Sequence, residues 1–404
     1  MWLPSFLLGA VAFTTTVSVS PRAQHDQPKY SIQMATSIMS RRQGILLSTS
    51  DRSNLLQAGF TQKTFRKLVD QYPKHPSTRQ ISSYMSSSVA SVIPTVYNAT
   101  LDTTFPLDRL SSGNGLLYAS QSKENQTYRM AYDALLESVD LQPRNTEGSL
   151  WYYVYPNYTY LDGMYSLAPF LTLYASLNTT SLSPSKSAAM VDDVIKQLDL
   201  AWNHTYQASS GLLVHGYDAS KRAPWADPMT GASHIVWGRS LGWYCMALLD
   251  TLDLVSSFAS AESARDWLLG HFQTLMEHVV ATVDGKAGAW WQVMDQPGRE
   301  GNYIESSASA MFVYALLRGK RLGYLEIGSV DVATRAYEYL VDNFVVQNGN
   351  GTLGWNGTVS VCSLNSTATY EYYIGQPILY DSVLGSAAFV LASLEYERLD
   401  MTVG

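Results

Sequence analysis

The feature that most constrains this chain is a helical period that returns about a dozen times with nothing to interrupt it. Apolar residues recur at three- and four-residue intervals over Tyr30–Met39, Leu55–Val69, Ile81–Val96, Asn125–Val139, Leu161–Leu177 and Pro184–Tyr206. The pattern resumes over Val236–Val255, Ala261–Val283, Tyr303–Leu317, Asp331–Phe344 and Pro377–Leu399, with a weaker segment at Asp108–Ala119. Pro184 and Pro377 stand where a first helical turn accepts proline, while Gly285–Gly288 and Gln296–Gly301 punctuate the gaps. A helix for roughly every thirty residues is the spacing of helical hairpins laid in a ring or a stack. Several of these segments lack a polar face, which predicts packing on both sides. No Pro/Ser linker or charge block divides the chain, so one all-α domain over 24–404 is expected, with a pocket built by loops at one end.

Composition narrows the function. Hydrophobic residues make up 46% and charged ones 15%, enough to bury a large core. The charges, 27 Lys+Arg against 34 Asp+Glu, sum to −7 with no basic stripe, which argues against a nucleic-acid partner. Aromatics reach 12%, including 27 Tyr and 10 Trp, and rings are what proteins lay against the flat faces of sugars. Trp2–Phe13 is apolar, too short to span a bilayer, and followed by small and hydroxyl residues, so residues 1–23 read as a secretory leader. Eight Asn-x-Ser/Thr sequons, at Asn98, Asn125, Asn157, Asn178, Asn203, Asn350, Asn356 and Asn365, agree with a secreted glycoprotein. Cys245 and Cys362 are the only cysteines; a disulfide between them is one reading, and a buried free thiol at Cys245 the simpler one.

Four stretches carry chemistry. Asp162 opens an apolar helix among Tyr158, Tyr160 and Tyr165, a setting that disfavours the charged carboxylate and suits a general acid; an ordinary N-cap is the other reading. Arg239 lies between Trp237 and Trp243, so a planar cationic fork and flat rings fall together, as recognition of a uronic acid requires; a packed Trp–Arg stack closing a helix end is the alternative. His215, His234, Asp218 and Asp227 raise a metal reading, but none has metal-ligand helix spacing, and no metal is expected. Glu305 stands before a run of small residues, as a helix-start carboxylate does, and Tyr370-Glu-Tyr-Tyr373 either walls a pocket or covers the barrel end. A phosphate-loop motif is absent.

Leu161-Asp-Gly-Met-Tyr with Ala168-Pro-Phe, His215-Gly-Tyr-Asp, Pro224-Trp-Ala-Asp-Pro, Trp237-Gly-Arg-Ser-Leu-Gly-Trp-Tyr, Asn302-Tyr-Ile-Glu-Ser-Ser-Ala-Ser-Ala and Tyr370-Glu-Tyr-Tyr together resemble glycoside hydrolase family 105, the unsaturated rhamnogalacturonyl hydrolases, related to the unsaturated glucuronyl hydrolases of family 88. The resemblance implies an (α/α)6 barrel and an unsaturated oligosaccharide substrate, with no cofactor. It implies Asp162 as the general acid/base and Asp108 as a second pocket carboxylate. His215, Trp237, Arg239 and Trp243 then contact the uronate, with Tyr160 and Trp225 in the substrate-binding set. Two departures stand out: Tyr160 occupies a position usually held by Trp, and Trp151-Tyr152 stands where a His-Lys pair is common. The rival functions are an unsaturated glucuronyl hydrolase on another acidic polysaccharide, a non-catalytic sugar-binding protein, and a polysaccharide lyase on a similar barrel.

Overall fold

The computed structural model describes residues 29–48, 51–122, 125–177, 182–256, 258 and 261–401. The leader expected at 1–23 and the sequon at Asn178 lie outside them. The helices are α1 (Tyr30–Ser40), α2 (Asn54–Gln71), α3 (Thr78–Val92), α4 (Ala99–Asp102), α5 (Leu110–Ser122), α6 (Gln126–Asp140), α7 (Leu161–Leu177), α8 (Pro184–Thr205), α9 (Gly238–Val255), α10 (Glu262–Ala281), α11 (Ser306–Arg321), α12 (Gly328–Phe344), α13 (Tyr370–Ile374) and α14 (Val383–Met401).

Six of them, α2, α5, α7, α9, α11 and α14, pack each on the next, and α14 closes back on α2. The other long helices form an outer layer: α3 backs α2, α6 backs α5, α8 backs α7, α10 backs α9, α12 backs α11, and α1 backs α14. This is an (α/α)6 barrel. The two layers differ as their sequences require. Outer helix α12 buries Ala333, Ala336, Tyr337 and Leu340, a single stripe at helical spacing. Inner helix α7 is buried continuously from Leu161 to Ala175, because it meets the barrel interior on one side and α8 on the other. Pro169 within α7 removes the backbone bond that the Tyr165 carbonyl would otherwise accept. No described helix is long and apolar enough to cross a membrane.

Because the inner helices are parallel, their N-termini meet at one end of the ring, and the long loops collect there. Those loops have a hydrophobic cluster of their own, with Tyr160, Trp225, Ile235, Trp237, Val293, Val359, Leu364 and Tyr373 among its members. Full burial of a large apolar side chain contributes about 1.5–3 kcal/mol, so this cluster fixes the loops instead of leaving them to solvent.

Three short antiparallel ribbons were not expected from the helical pattern: β1 (Tyr158–Tyr160) with β4 (Gly216–Asp218), β2 (Tyr206–Gln207) with β3 (Leu212–Leu213), and β5 (Val345–Gln347) with β6 (Leu353–Trp355). The last helix also begins later than the periodicity suggests, at Val383. Pro377 is not in a first turn; its carbonyl accepts from Ser360 N (2.8 Å), and Ile378 bridges Val359, so the segment is extended pairing. Its Ile378, Leu379 and Tyr380 side chains are 41–50% exposed, which explains why apolar residues there extended the apparent helix without serving the core. Cys245 and Cys362 are separate, buried free thiols.

Candidate active site

The β1–β4 ribbon assembles the site. Its register pairs Tyr160 with Gly216, and Leu161 N donates to His215 O (3.1 Å), so Asp162 at the start of α7 and His215 at the start of β4 are held side by side. A side chain at Gly216 would put its Cβ 2.3 Å from the Thr159 carbonyl, so the close approach of the strands demands glycine here.

Asp162 Oδ2 accepts a 2.5 Å hydrogen bond from Ser240 Oγ, which comes from the first turn of α9. His215 Nε2 lies 3.2 Å from the same oxygen, at ion-pair distance but without hydrogen-bond alignment. The other ring nitrogen, Nδ1, is 2.6 Å from Tyr373 Oη. The Tyr373 carbonyl accepts from Gln292 Nε2 (3.1 Å), and Gln292 Oε1 accepts from Trp237 Nε1 (3.1 Å). A buried chain of polar contacts thus runs from Trp237 through Gln292, Tyr373 and His215 to Asp162. Such a chain fixes the imidazole in one orientation against the carboxylate.

Asp108 sits in the 3-10 turn Leu107–Arg109 that leads into α5. Its Oδ2 accepts from Tyr152 Oη (2.7 Å), while Oδ1 is buried with no hydrogen-bond partner. Burial first, and then the neighbouring Asp162 charge, push the Asp108 carboxyl up to about 7, against the opposing effects of Tyr152 and Arg109. Tyr152 also stacks on Tyr160, centroids 4.2 Å apart and planes 12° from parallel, and Tyr160 meets the edge of His215 at 5.2 Å. The two departures from the family pattern are therefore one physical unit: a stacked tyrosine pair, one member of which serves Asp108.

The remaining expected residues fall into two groups. Trp237 lies against His215 at 4.8 Å and is 1% exposed. The Arg239 guanidinium stacks on Trp237 at 4.8 Å. Its NH1 donates to Val359 O (2.6 Å) and Ser307 Oγ (3.3 Å), its NH2 to Ser360 O (2.7 Å), and Glu305 Oε1 is 3.8 Å away. Glu305 in turn caps α11 by accepting from Ala308 N (2.7 Å), and it accepts from Val359 N (3.1 Å). This buried pair ties the starts of α9 and α11 to the 359–360 loop, the geometry of a stack that closes a helix end. Trp225 packs against Tyr158 at 5.1 Å within the loop cluster. Trp243, one turn further along α9, touches Phe60 (4.9 Å) and Tyr165 (4.5 Å) below the carboxylates.

Ser240, Gln292, Tyr373 and Tyr152 acquire roles the sequence did not assign. Ser240 and Gln292 are polar residues inside apolar runs, the one available signal that each meets a buried partner. Asp218 and Asp227 are occupied by turns: Asp218 accepts from the Ser220, Arg222 and Ala223 amides, and Asp227 from those of Met229 and Thr230. Among the described residues, no three His, Cys, Asp or Glu side chains gather as metal ligands would.

Comparison with known proteins agrees with this architecture. A family model described as Glycosyl Hydrolase Family 88 matches residues 32–400. A glycoside hydrolase of family 105 from C. acetobutylicum superposes with a TM-score of 0.78 at 30% identity, covering 92% of this chain and 100% of that one. The unsaturated glucuronyl hydrolase of Bacillus sp. GL1 gives 0.62 at 12% identity over 92% and 95%, a likeness of fold. A protein of Agrobacterium fabrum is 33% identical over 216 residues, 51% of this chain and 90% of that one. The chain belongs to the glycoside hydrolases of the family 88 and 105 group.

Proposed function

We propose that the protein removes the terminal 4,5-unsaturated galacturonic acid from rhamnogalacturonan oligosaccharides produced by pectin lyases. The observation that carries this reading is the buried Asp162–Asp108 pair, one carboxyl anchored by Ser240 and the other pushed up to about 7. Asp108 thereby keeps its proton in mildly acidic solution beside the Asp162 carboxyl.

The C4=C5 bond of the substrate is conjugated with the ring oxygen as a vinyl ether, so the first step is protonation of carbon. Asp162 delivers the proton to C4, and positive charge develops at C5 and the ring oxygen. The carboxylate left behind takes a proton from water as the water oxygen bonds to C5. The resulting hemiketal opens to a ketone, and the glycosidic bond breaks with release of the rhamnose-terminated product. Asp108 orients water or sugar hydroxyls, and the Asp162 charge beside it disfavours its ionisation. His215, fixed by Tyr373, braces Asp162 in its orientation. This route needs no second carboxylate across the sugar, unlike the paired acid and nucleophile of retaining glycosidases.

The test follows the ultraviolet absorbance of the conjugated uronate, with lyase-digested rhamnogalacturonan as substrate and an Asp162→Asn variant beside wild type. Absorbance lost with wild type and retained with the variant supports the reading. A rise in absorbance identifies a lyase; loss only with unsaturated glucuronyl oligosaccharides moves the substrate to another polysaccharide. No change with either points to binding without catalysis.

We further propose secretion with N-glycosylation. Asn98, Asn203, Asn350, Asn356 and Asn365 are exposed, and Asn98 caps α4 through Oδ1, which leaves Nδ2 for a glycan. Mass loss on enzymatic deglycosylation of protein from the native host's medium checks this.

A further inference from the structure

Toward the C-terminal ends of α2 and α9 lies a cavity of about 320 Å³, which reaches along α5 and α7 as far as Ser111 and Tyr165. Its wall carries Lys63, Arg66 and Lys67 from α2 and Asp250 and Asp253 from α9. Both carboxylates are engaged: Asp250 binds Lys63, and Asp253 binds Arg318. Arg66 lies over the Tyr118 ring at 3.6 Å, and no carboxylate pairs with it among the described residues. Lys67 has neither a hydrogen bond nor an ion pair among the described residues. It also borders a second cavity of about 190 Å³, where Glu395 is divided among Arg318, Arg321 and Arg398. Two cations therefore face the larger space with their local carboxylates already taken. The same wall presents Gln62 Oε1 and Asn114 Oδ1, buried side-chain amide atoms without partners.

We propose that this cavity is a binding site for a small oxyanion, a carboxylate, phosphate or sulfate group held by Lys67 and Arg66. The Asn114 amide supplies a further polar contact, since a side-chain amide turned about its bond offers NH2 in place of oxygen, whereas Gln62 Nε2 already donates to Ser88 Oγ (3.1 Å). An ionised acceptor between two cations makes charge-assisted hydrogen bonds, roughly twice as strong as neutral ones. Burial and the surrounding cations hold the Lys67 ammonium well below its usual range, so a bound anion would relieve a cost the chain bears. The partial negative charge at helix C-termini is a weaker substitute, because it falls off within the last turn.

The two cations are set apart from the carboxylate pair, although Tyr165 and Ser111 belong to the cavity wall. Phe60, Tyr165 and Trp243 touch one another across the barrel interior, one turn below Asp162 and Ser240 and above Lys63, Lys67 and Asp250 on their respective helices. Failure of the proposal leaves the hydrolase reading intact, and the reverse also holds.

The experiment is thermal unfolding of the full chain titrated with inorganic phosphate, sulfate or galacturonate, each against chloride at equal ionic strength, with galactose as the neutral control. A saturable rise of roughly 1–3 °C is expected with at least one oxyanion and none with galactose. Phosphate or sulfate acting alone identifies an inorganic ligand; galacturonate acting alone identifies a sugar acid. Lys67→Gln should weaken the apparent affinity about 10-fold or more, and Lys67→Arg should retain it. Arg66→Gln supplies a second variant should Lys67→Gln not fold. No saturable rise with any oxyanion, or an equal rise in the charge-removing variants, overturns the proposal.

Discussion

The two ends of the barrel bury charge of opposite sign and handle it differently. At the N-terminal end of the inner helices, two carboxyls share a dry, aromatic space, and Asp108 rises to about 7. At the C-terminal end, lysines crowd α2, and burial pushes Lys63 down to about 8 even though Asp250 binds it. In both places desolvation disfavours the ionised form. The difference lies in compensation. The cationic end is mostly cross-linked by ion pairs between inner helices, whereas among the described residues no Lys or Arg pairs with Asp108 or Asp162. A network of paired charge serves the shape of the ring; a pair of like charges serves proton transfer.

That contrast can be broken by substitution. Asp162→Asn should lower kcat by about 10²–10⁴-fold with little change in melting temperature, measured by substrate absorbance and calorimetry. A loss of fold as large as the loss of activity would erase the distinction between the ends. Asp250→Asn should do the reverse. It strands the Lys63 ammonium and should cost about 3–5 kcal/mol in urea unfolding, while kcat per folded molecule stays near wild type. Replacing both partners with apolar residues should recover much of that loss.

A pH series sharpens the comparison further. A free aspartate titrates at about 3.9, and Asp108 in the folded chain at about 7. Between these values the folded state holds a proton that the unfolded state has released, so stability falls as pH rises from about 4 to about 7 and then levels off. Asp108→Asn should flatten that slope and gain roughly 1–3 kcal/mol at pH 8, read from urea midpoints at pH 5 and 8. Activity should decline above about pH 7 as Asp108 loses its proton. The smallest effect is expected from Ser240→Ala, which removes one hydrogen bond to the Asp162 carboxyl: about 10-fold in kcat, with KM nearly unchanged.

Much of the architecture is legible in the sequence because packing writes it there. Leu161–Leu177 coincides with α7, since a helix buried on all sides leaves an unbroken apolar run. The ribbons escape because two or three residues are too few to display alternation, and β1 runs directly into α7. Within the site, Asp162 stands out as an acid among rings, whereas Asp108 is carried by the family resemblance alone. Gln292 and Tyr373 do not, because their roles depend on contacts across 81 residues of chain that no local pattern records. Arg239 shows the limit from the other side: the sequence places a guanidinium between tryptophans, but only the fold shows its NH1 and NH2 groups committed to the carbonyls of Val359 and Ser360.

The closure of α14 on α2, with α1 outside it, also governs when the protein can exist at all. Ser31 is bonded through both its amide (3.0 Å) and its hydroxyl (2.6 Å) to Glu397, and Tyr72 donates to the same carboxylate (2.7 Å). On a ribosome the first helices emerge long before the segment that completes them. At about 5–20 residues per second they wait on the order of 20–80 s with an apolar seam uncovered. The nascent chain therefore carries an open seam until α14 is made, and a stop codon before Val383 would leave the ring without its sixth inner helix. Conversely, joining the neighbouring ends and opening the chain at an exposed outer loop would let synthesis begin elsewhere on the same circle.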